Sequence, residues 1–168
     1  LQGSDESLQV ALRQFRLMES FLQRFLALGK PTGGERTSGS ASTLVAEVMD
    51  LLGPTAQHFG VQLHFAEPEK SVTLKGDQEA LRQLLSNLVL NGCEAAAEVV
   101  DAPRRVVVQL ERASDDFGVI RVCDTGAGPP AALQGRLFEP FVTGKPSGMG
   151  LGLFVARRIA QAHGGDLS

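Results

Sequence analysis

Four short runs rich in β-branched residues, VQLHF (61–65), SVTLKG (71–76), RRVVVQLER (104–112) and GVIRVCD (118–124), come in two pairs, with helix-period stretches before, between and after them. Each run is bounded by turn formers and reads as a strand. Strands and helices in this order bury their apolar faces only by stacking as layers. The expected fold class is therefore α+β, a two-layer α/β sandwich with one sheet face covered by helices. The first helical stretch spaces Leu44, Val48, Leu51, Leu52 and Phe59 at helical intervals, with Ser42 or Thr43 as its cap and Gly60 as a left-handed stop. Pro54 should bend it. The second runs from Asp77 to about Glu98, and the third follows Gly152.

The 168 residues suffice for one domain with its own core and a small appendage, not for two full domains. No apolar run approaches the roughly 18 to 20 residues needed to cross a bilayer, so this stretch is expected to make no membrane contact. A net charge of −3 leaves no basic footprint for nucleic acid. Only two cysteines occur, Cys93 and Cys123, which argues against a disulfide framework or a zinc site and points to the cytoplasm. At the N-terminus Leu8, Ala11, Phe15, Met18, Leu22 and Phe25 alternate spacings of three and four, the seam of a helix that docks on other helices. Two readings fit: a helix of an intermolecular bundle, or one folded against its own domain. Pro31 and TGGERTSGSAS then read as an exposed connection. The expected division is a helix over 1–30, a linker over 31–41 and the main domain over 42–168.

On the helix from Asp77, residues Leu81, Leu84, Leu85, Leu88, Gly92 and Ala95 share one sector, expected to face the sheet. Asn87, Asn91 and Glu94 form a stripe along its edge. They are polar rim residues, or their amide oxygens are neutral hard ligands for a magnesium ion held mainly by phosphates and waters. Asp124 ends a strand and is followed by Gly126 and Gly128, glycines that let a flat ligand approach the backbone. Asp124 is a turn former, or it accepts a hydrogen bond from an exocyclic amine such as that of adenine. Gly148, Gly150 and Gly152 run into an amphipathic helix, an arrangement in which amides and a helix N-terminus hold phosphates.

Taken in order, Asn91, Asp124 with its glycines, LFEPFVTGK (137–145) and the triple-glycine turn resemble the N, G1, F and G2 boxes of the GHKL nucleotide-binding fold. The resemblance covers roughly 41–168. It is closest to the catalytic domain of sensor histidine kinases of the nitrogen-regulatory type. It implies a mixed sheet backed by three helices, with ATP and Mg²⁺ as cofactors. By the same resemblance Asn91, assisted by Asn87, coordinates Mg²⁺, and Asp124 selects adenine. Gly126 and Gly128 line the base pocket, and Thr143 and Lys145 approach the phosphates from a lid. The amides around Ser147, Gly148, Met149, Gly150, Leu151 and Gly152 grip those phosphates. Phe138 and Phe141 resemble the pins that dock the lid, with ordinary core packing as the alternative for Phe138.

Hydrolytic relatives such as gyrase carry a glutamate one turn before the magnesium asparagine, where this chain has Asn87. An amide cannot act as a general base near neutral pH, so transfer to an outside nucleophile is favoured. The resemblance implies that this nucleophile is a histidine on a dimerisation helix, with a response regulator downstream and a homodimer formed through the N-terminal helix. No acceptor histidine is expected within the chain, because His58, His64 and His163 all lack a following acidic residue. Relatives also continue past H-G-G with a further strand, so an incomplete C-terminal sheet edge is expected. A GHKL-type ATPase and a nucleotide-binding interaction module without catalysis remain the alternatives.

Overall fold

The computed structural model describes residues 34–68, 70–114, 117–145 and 148–168. The heptad seam over residues 8–25 lies outside them, as does Ser147. Strand β1 (Thr37–Ser40) leads directly into helix α1 (Ala41–His58), followed by β2 (Gln62–Ala66) and β3 (Thr73–Gly76). Helix α2 (Gln78–Ala97), the hairpin strands β4 (Arg105–Arg112) and β5 (Gly118–Asp124), a 3₁₀ turn (Ala131–Arg136) and helix α3 (Gly152–Ala162) complete the described elements.

β4 is the central strand of a mixed sheet, parallel to β2 and antiparallel to β5. Its Val106, Val108 and Leu110 are buried and alternate with half-buried Val107 and Gln109, the period of a strand with one covered face. That face meets α1 and α2 through Val45, Val48, Leu85, Val89 and Cys93, all fully buried. Among the described residues no polar or charged side chain is buried, so burial of apolar surface holds the layers together.

The structure corrects three expectations. Residues 37–40, assigned to the exposed linker, form β1, antiparallel to β3 with Thr37 opposite Gly76. The sequence TSGS has turn-former composition, and its partner strand supplies what its propensity does not. The cap of α1 is Ser40, whose hydroxyl accepts from the Thr43 amide at 3.4 Å, not Ser42 or Thr43. The covered face of α2 comprises Leu84, Leu85, Val89, Gly92, Cys93 and Ala96, while Leu81, Leu88 and Ala95 are only half-buried. Apolar residues run most of the way round this helix, so the leucines alone do not fix its rotation. Gly60 is the left-handed stop of α1 with φ +66°, and Val61 and Gly60 donate to the Ala56 and Gln57 carbonyls. No helix among the described residues is long and apolar enough to cross a membrane.

Candidate functional site

Helix α2 carries the site, and a single carboxylate sets its start. Asp77 Oδ1 accepts from the Glu79 and Ala80 amides, each at 3.1 Å, while Oδ2 accepts from the Gly34 amide at 3.1 Å. The Asp77 amide donates to His163 Nε2 at 3.0 Å. His163 Nε2 is thus an acceptor, so Nδ1 carries the proton and donates to the Ile159 carbonyl at 2.7 Å. The beginning of α2 and the end of α3 are joined through this imidazole.

Two segments distant in sequence settle on the following turns of α2. A β-carbon on Gly92 would lie 3.4 Å from Asp124 Cβ, which sets the end of β5 beside the helix. One turn on, a β-carbon on Gly126 would stand 2.8 Å from Ala95 Cβ and 2.9 Å from its carbonyl carbon, so a side chain at 126 would push the loop off the helix. Asp124 Oδ1 closes this turn by accepting from the Gly126 amide at 2.8 Å, and no described residue donates to Oδ2. From the other side, a β-carbon on Gly152 would lie 3.6 Å from Asn91 Nδ2, 3.9 Å from Asn91 Oδ1 and 4.0 Å from Asn87 Oδ1. Leu151, at the head of α3, makes no side-chain capping bond, and the first internal bond of that helix runs from the Val155 amide to the Leu151 carbonyl. The first-turn amides of α3 therefore open beside two asparagine side chains.

The loop before α3 is strapped to the glycine turn. Gly150 has φ +65°, and a β-carbon there would fall 2.4 Å from the Val142 carbonyl oxygen, so this position requires glycine. The Phe141 amide donates to the Gly150 carbonyl at 3.0 Å. Phe141 itself is 69% exposed with φ +65°. The expectation that it docks as an apolar pin is thereby corrected: its backbone is fixed to Gly150, and its ring stands in solvent. Phe138 is half-buried, with the Arg157 guanidinium 4.8 Å from its ring centroid.

Thr143 Oγ1 accepts from the Lys145 amide at 3.1 Å, and Lys145 Nζ pairs with the Glu94 carboxylate at 2.5 Å. The sequence placed Glu94 on the asparagine stripe without giving it a partner. A lone lysine in the loop was the available signal. Gly128 lies in open space on the loop after β5, Gly148 and Met149 are half-buried, and the Leu151 side chain is in the core, leaving only its backbone to meet a ligand. A depression of about 210 Å³ bounded by Phe138, Phe154, Arg157, Arg158 and Gln161 contains none of the expected nucleotide-binding residues.

Among the described residues no three histidine, cysteine, aspartate or glutamate side chains gather as a metal cage. The donors at the mouth of α3 are the neutral amides of Asn91 and Asn87, which come within van der Waals reach of one point beside Gly152. This donor set fits a hard cation whose charge is met by phosphates and water rather than by carboxylates.

A mixed sheet under helices, with an asparagine helix, an aspartate-ended strand and a glycine turn packed together, defines a GHKL-type fold. The chain belongs to the histidine kinase-, DNA gyrase B- and HSP90-like ATPase family, whose model matches residues 76–168. It is 31% identical over 166 residues to the signal transduction histidine-protein kinase AtoS of Escherichia coli K12, covering 96% of this chain but 26% of AtoS. The catalytic domain of histidine kinase ThkA superposes with a TM-score of 0.67 at 26% identity, covering 77% of this chain and 82% of that one. Full-length ShkA in complex with AMPPNP gives a TM-score of 0.76 at 26% identity, covering 95% of this chain and 34% of that one. The chain thus spans about a quarter of the length of AtoS.

Proposed function

We propose that this chain is the phosphoryl-donating part of a cytoplasmic sensor histidine kinase. It binds Mg·ATP and passes the γ-phosphoryl group to a histidine on a dimerisation helix outside this sequence, for onward transfer to a response regulator. The observation that carries this reading is the uncapped head of α3 opening against Asn91 and Asn87, on the same helix that Asp124 and Gly126 flank. The resemblance to ShkA, described with AMPPNP, supports the nucleotide.

In this reading Asp124 Oδ2 accepts from the exocyclic amine of adenine, and its negative charge disfavours the carbonyl that guanine presents there. Gly126 and Gly128 leave room for the base. The amides at the start of α3 and around Gly148 to Gly152 hold phosphate oxygens. Asn91, with Asn87, would hold magnesium, which supplies charge compensation on the phosphates. Asn87 has no basicity with which to activate water, so the site positions and neutralises its substrate and leaves the nucleophile to be brought from outside. His163 is engaged at both ring nitrogens, consistent with a structural role.

The test supplies γ-labelled Mg·ATP to this chain together with a histidine-bearing dimerisation segment. Label on that segment, lost with Asn91→Ala, is expected. Steady release of free phosphate by the chain alone would make it an ATPase. Label on its own histidines, or no ATP binding at all, would likewise overturn the reading.

A further inference from the structure

Glu94 lies three residues beyond Asn91, and the role proposed above for the asparagine stripe leaves it unused. In the structure its carboxylate holds the Lys145 ammonium at 2.5 Å, with both side chains about one-third exposed, at 33% and 34%. Lys145 is presented by a self-bonded turn: its amide donates to Thr143 Oγ1 at 3.1 Å, and its carbonyl accepts from the Gly148 amide at 3.1 Å. The backbone that would contribute phosphate-binding amides therefore places its lysine on the magnesium helix, one turn past Asn91. A carboxylate and a triphosphate are alternative anions for a single ammonium, and an ion pair one-third exposed to solvent is weak enough to be displaced.

We propose that Glu94 is a positioning residue that competes with the nucleotide phosphates for Lys145, so that it lowers affinity for ATP through the lysine rather than by touching the nucleotide. This inference rests on the nucleotide reading above. It makes Glu94 the determinant of how much of the lysine's attraction the triphosphate receives.

Calorimetric titration of the whole chain with Mg·ATP and with adenosine tests it. Glu94→Gln keeps the length and helix propensity of the side chain and removes its charge. It should tighten Mg·ATP about two- to fivefold, the displacement cost of a surface-type pair. Adenosine affinity should not change, because adenosine has no phosphate to claim the lysine. Lys145→Met should weaken Mg·ATP, and adding Glu94→Gln to Lys145→Met should give no further change. Wild-type ATP affinity in Glu94→Gln would overturn the proposal. So would an undiminished gain in the Lys145→Met background, which would mean that Glu94 repels the phosphates directly. A tightened adenosine would also overturn it, by showing a general change of the pocket. Failure of the wild-type chain to bind Mg·ATP would instead refute the nucleotide reading, so the two failures are distinguishable.

Discussion

Replacing Asp124 separates two jobs that one carboxylate performs. Its Oδ1 accepts from the Gly126 amide at 2.8 Å, and Oδ2 is the oxygen proposed to meet adenine. Asp124→Asn can keep a carbonyl oxygen on the Gly126 amide while turning the other position from acceptor to donor. A hydrogen bond to a charged group contributes about 1.5–3 kcal/mol, or roughly ten- to 150-fold in affinity. Asp124 is exposed, which places the expected loss near the lower bound, about tenfold for Mg·ATP. Asp124→Ala should lose the same affinity and also the turn bond, lowering stability by about 1 kcal/mol, whereas the asparagine variant should melt with the wild type. Because an amide NH₂ can donate to a guanine carbonyl, Asp124→Asn should also narrow the preference for ATP over GTP. Calorimetry with both nucleotides and thermal melts of both variants make the comparison. Unchanged ATP affinity in Asp124→Asn would refute the role given to Oδ2, leaving Asp124 as a turn former alone.

Two further outcomes follow from single contacts. Asp77→Ala removes the capping acceptor of Glu79 and Ala80 and the tie to Gly34; it should cost about 1–2 kcal/mol and lower Tm by roughly 3–8 °C, largely restored in Asp77→Asn, and a wild-type melting curve for the alanine variant would contradict this. Hydrogen bonds from Arg157, and then from the Leu167 amide, hold the Asp166 carboxyl down from 3.8 to about 2. Since the folded value lies below the ordinary one, the stabilisation is present above about pH 4 and is lost as pH falls through about 2. Carbon-detected titration of Asp166 should show a midpoint that rises in Arg157→Ala, and an unmoved midpoint would exclude the arginine as its cause.

What could be read from the residues divides by how local the cause is. The four β-branched runs became β2 to β5 because strand period and bounding turns are written within each segment. β1 was missed because TSGS acquires its conformation from Thr73–Gly76, across the whole of α1. The rotation of α2 was misjudged by weighting leucines over Val89, Cys93 and Ala96, which the sheet actually covers. At the site, Gly126 and Gly150 were legible because close backbone approach leaves glycine as the only residue that fits. The pairing of Glu94 with Lys145 joins positions 51 apart through side chains alone, and no local pattern encodes it. Phe141 misled for the opposite reason, since an aromatic in an apolar-looking motif says nothing about the backbone bond that holds its ring outward.

The imidazole bridge between Asp77 and Ile159 bears on how the chain is made. Its contact with Asp77 spans 86 positions, and the Arg36 guanidinium reaches the Ala162 carbonyl across 126. A chain emerging from the ribosome has its sheet strands and first two helices available before these closures, which wait until α3 has been made. Loops of that length are slow to close, so this domain completes its native contacts in a late step that needs α3 rather than growing steadily from β1.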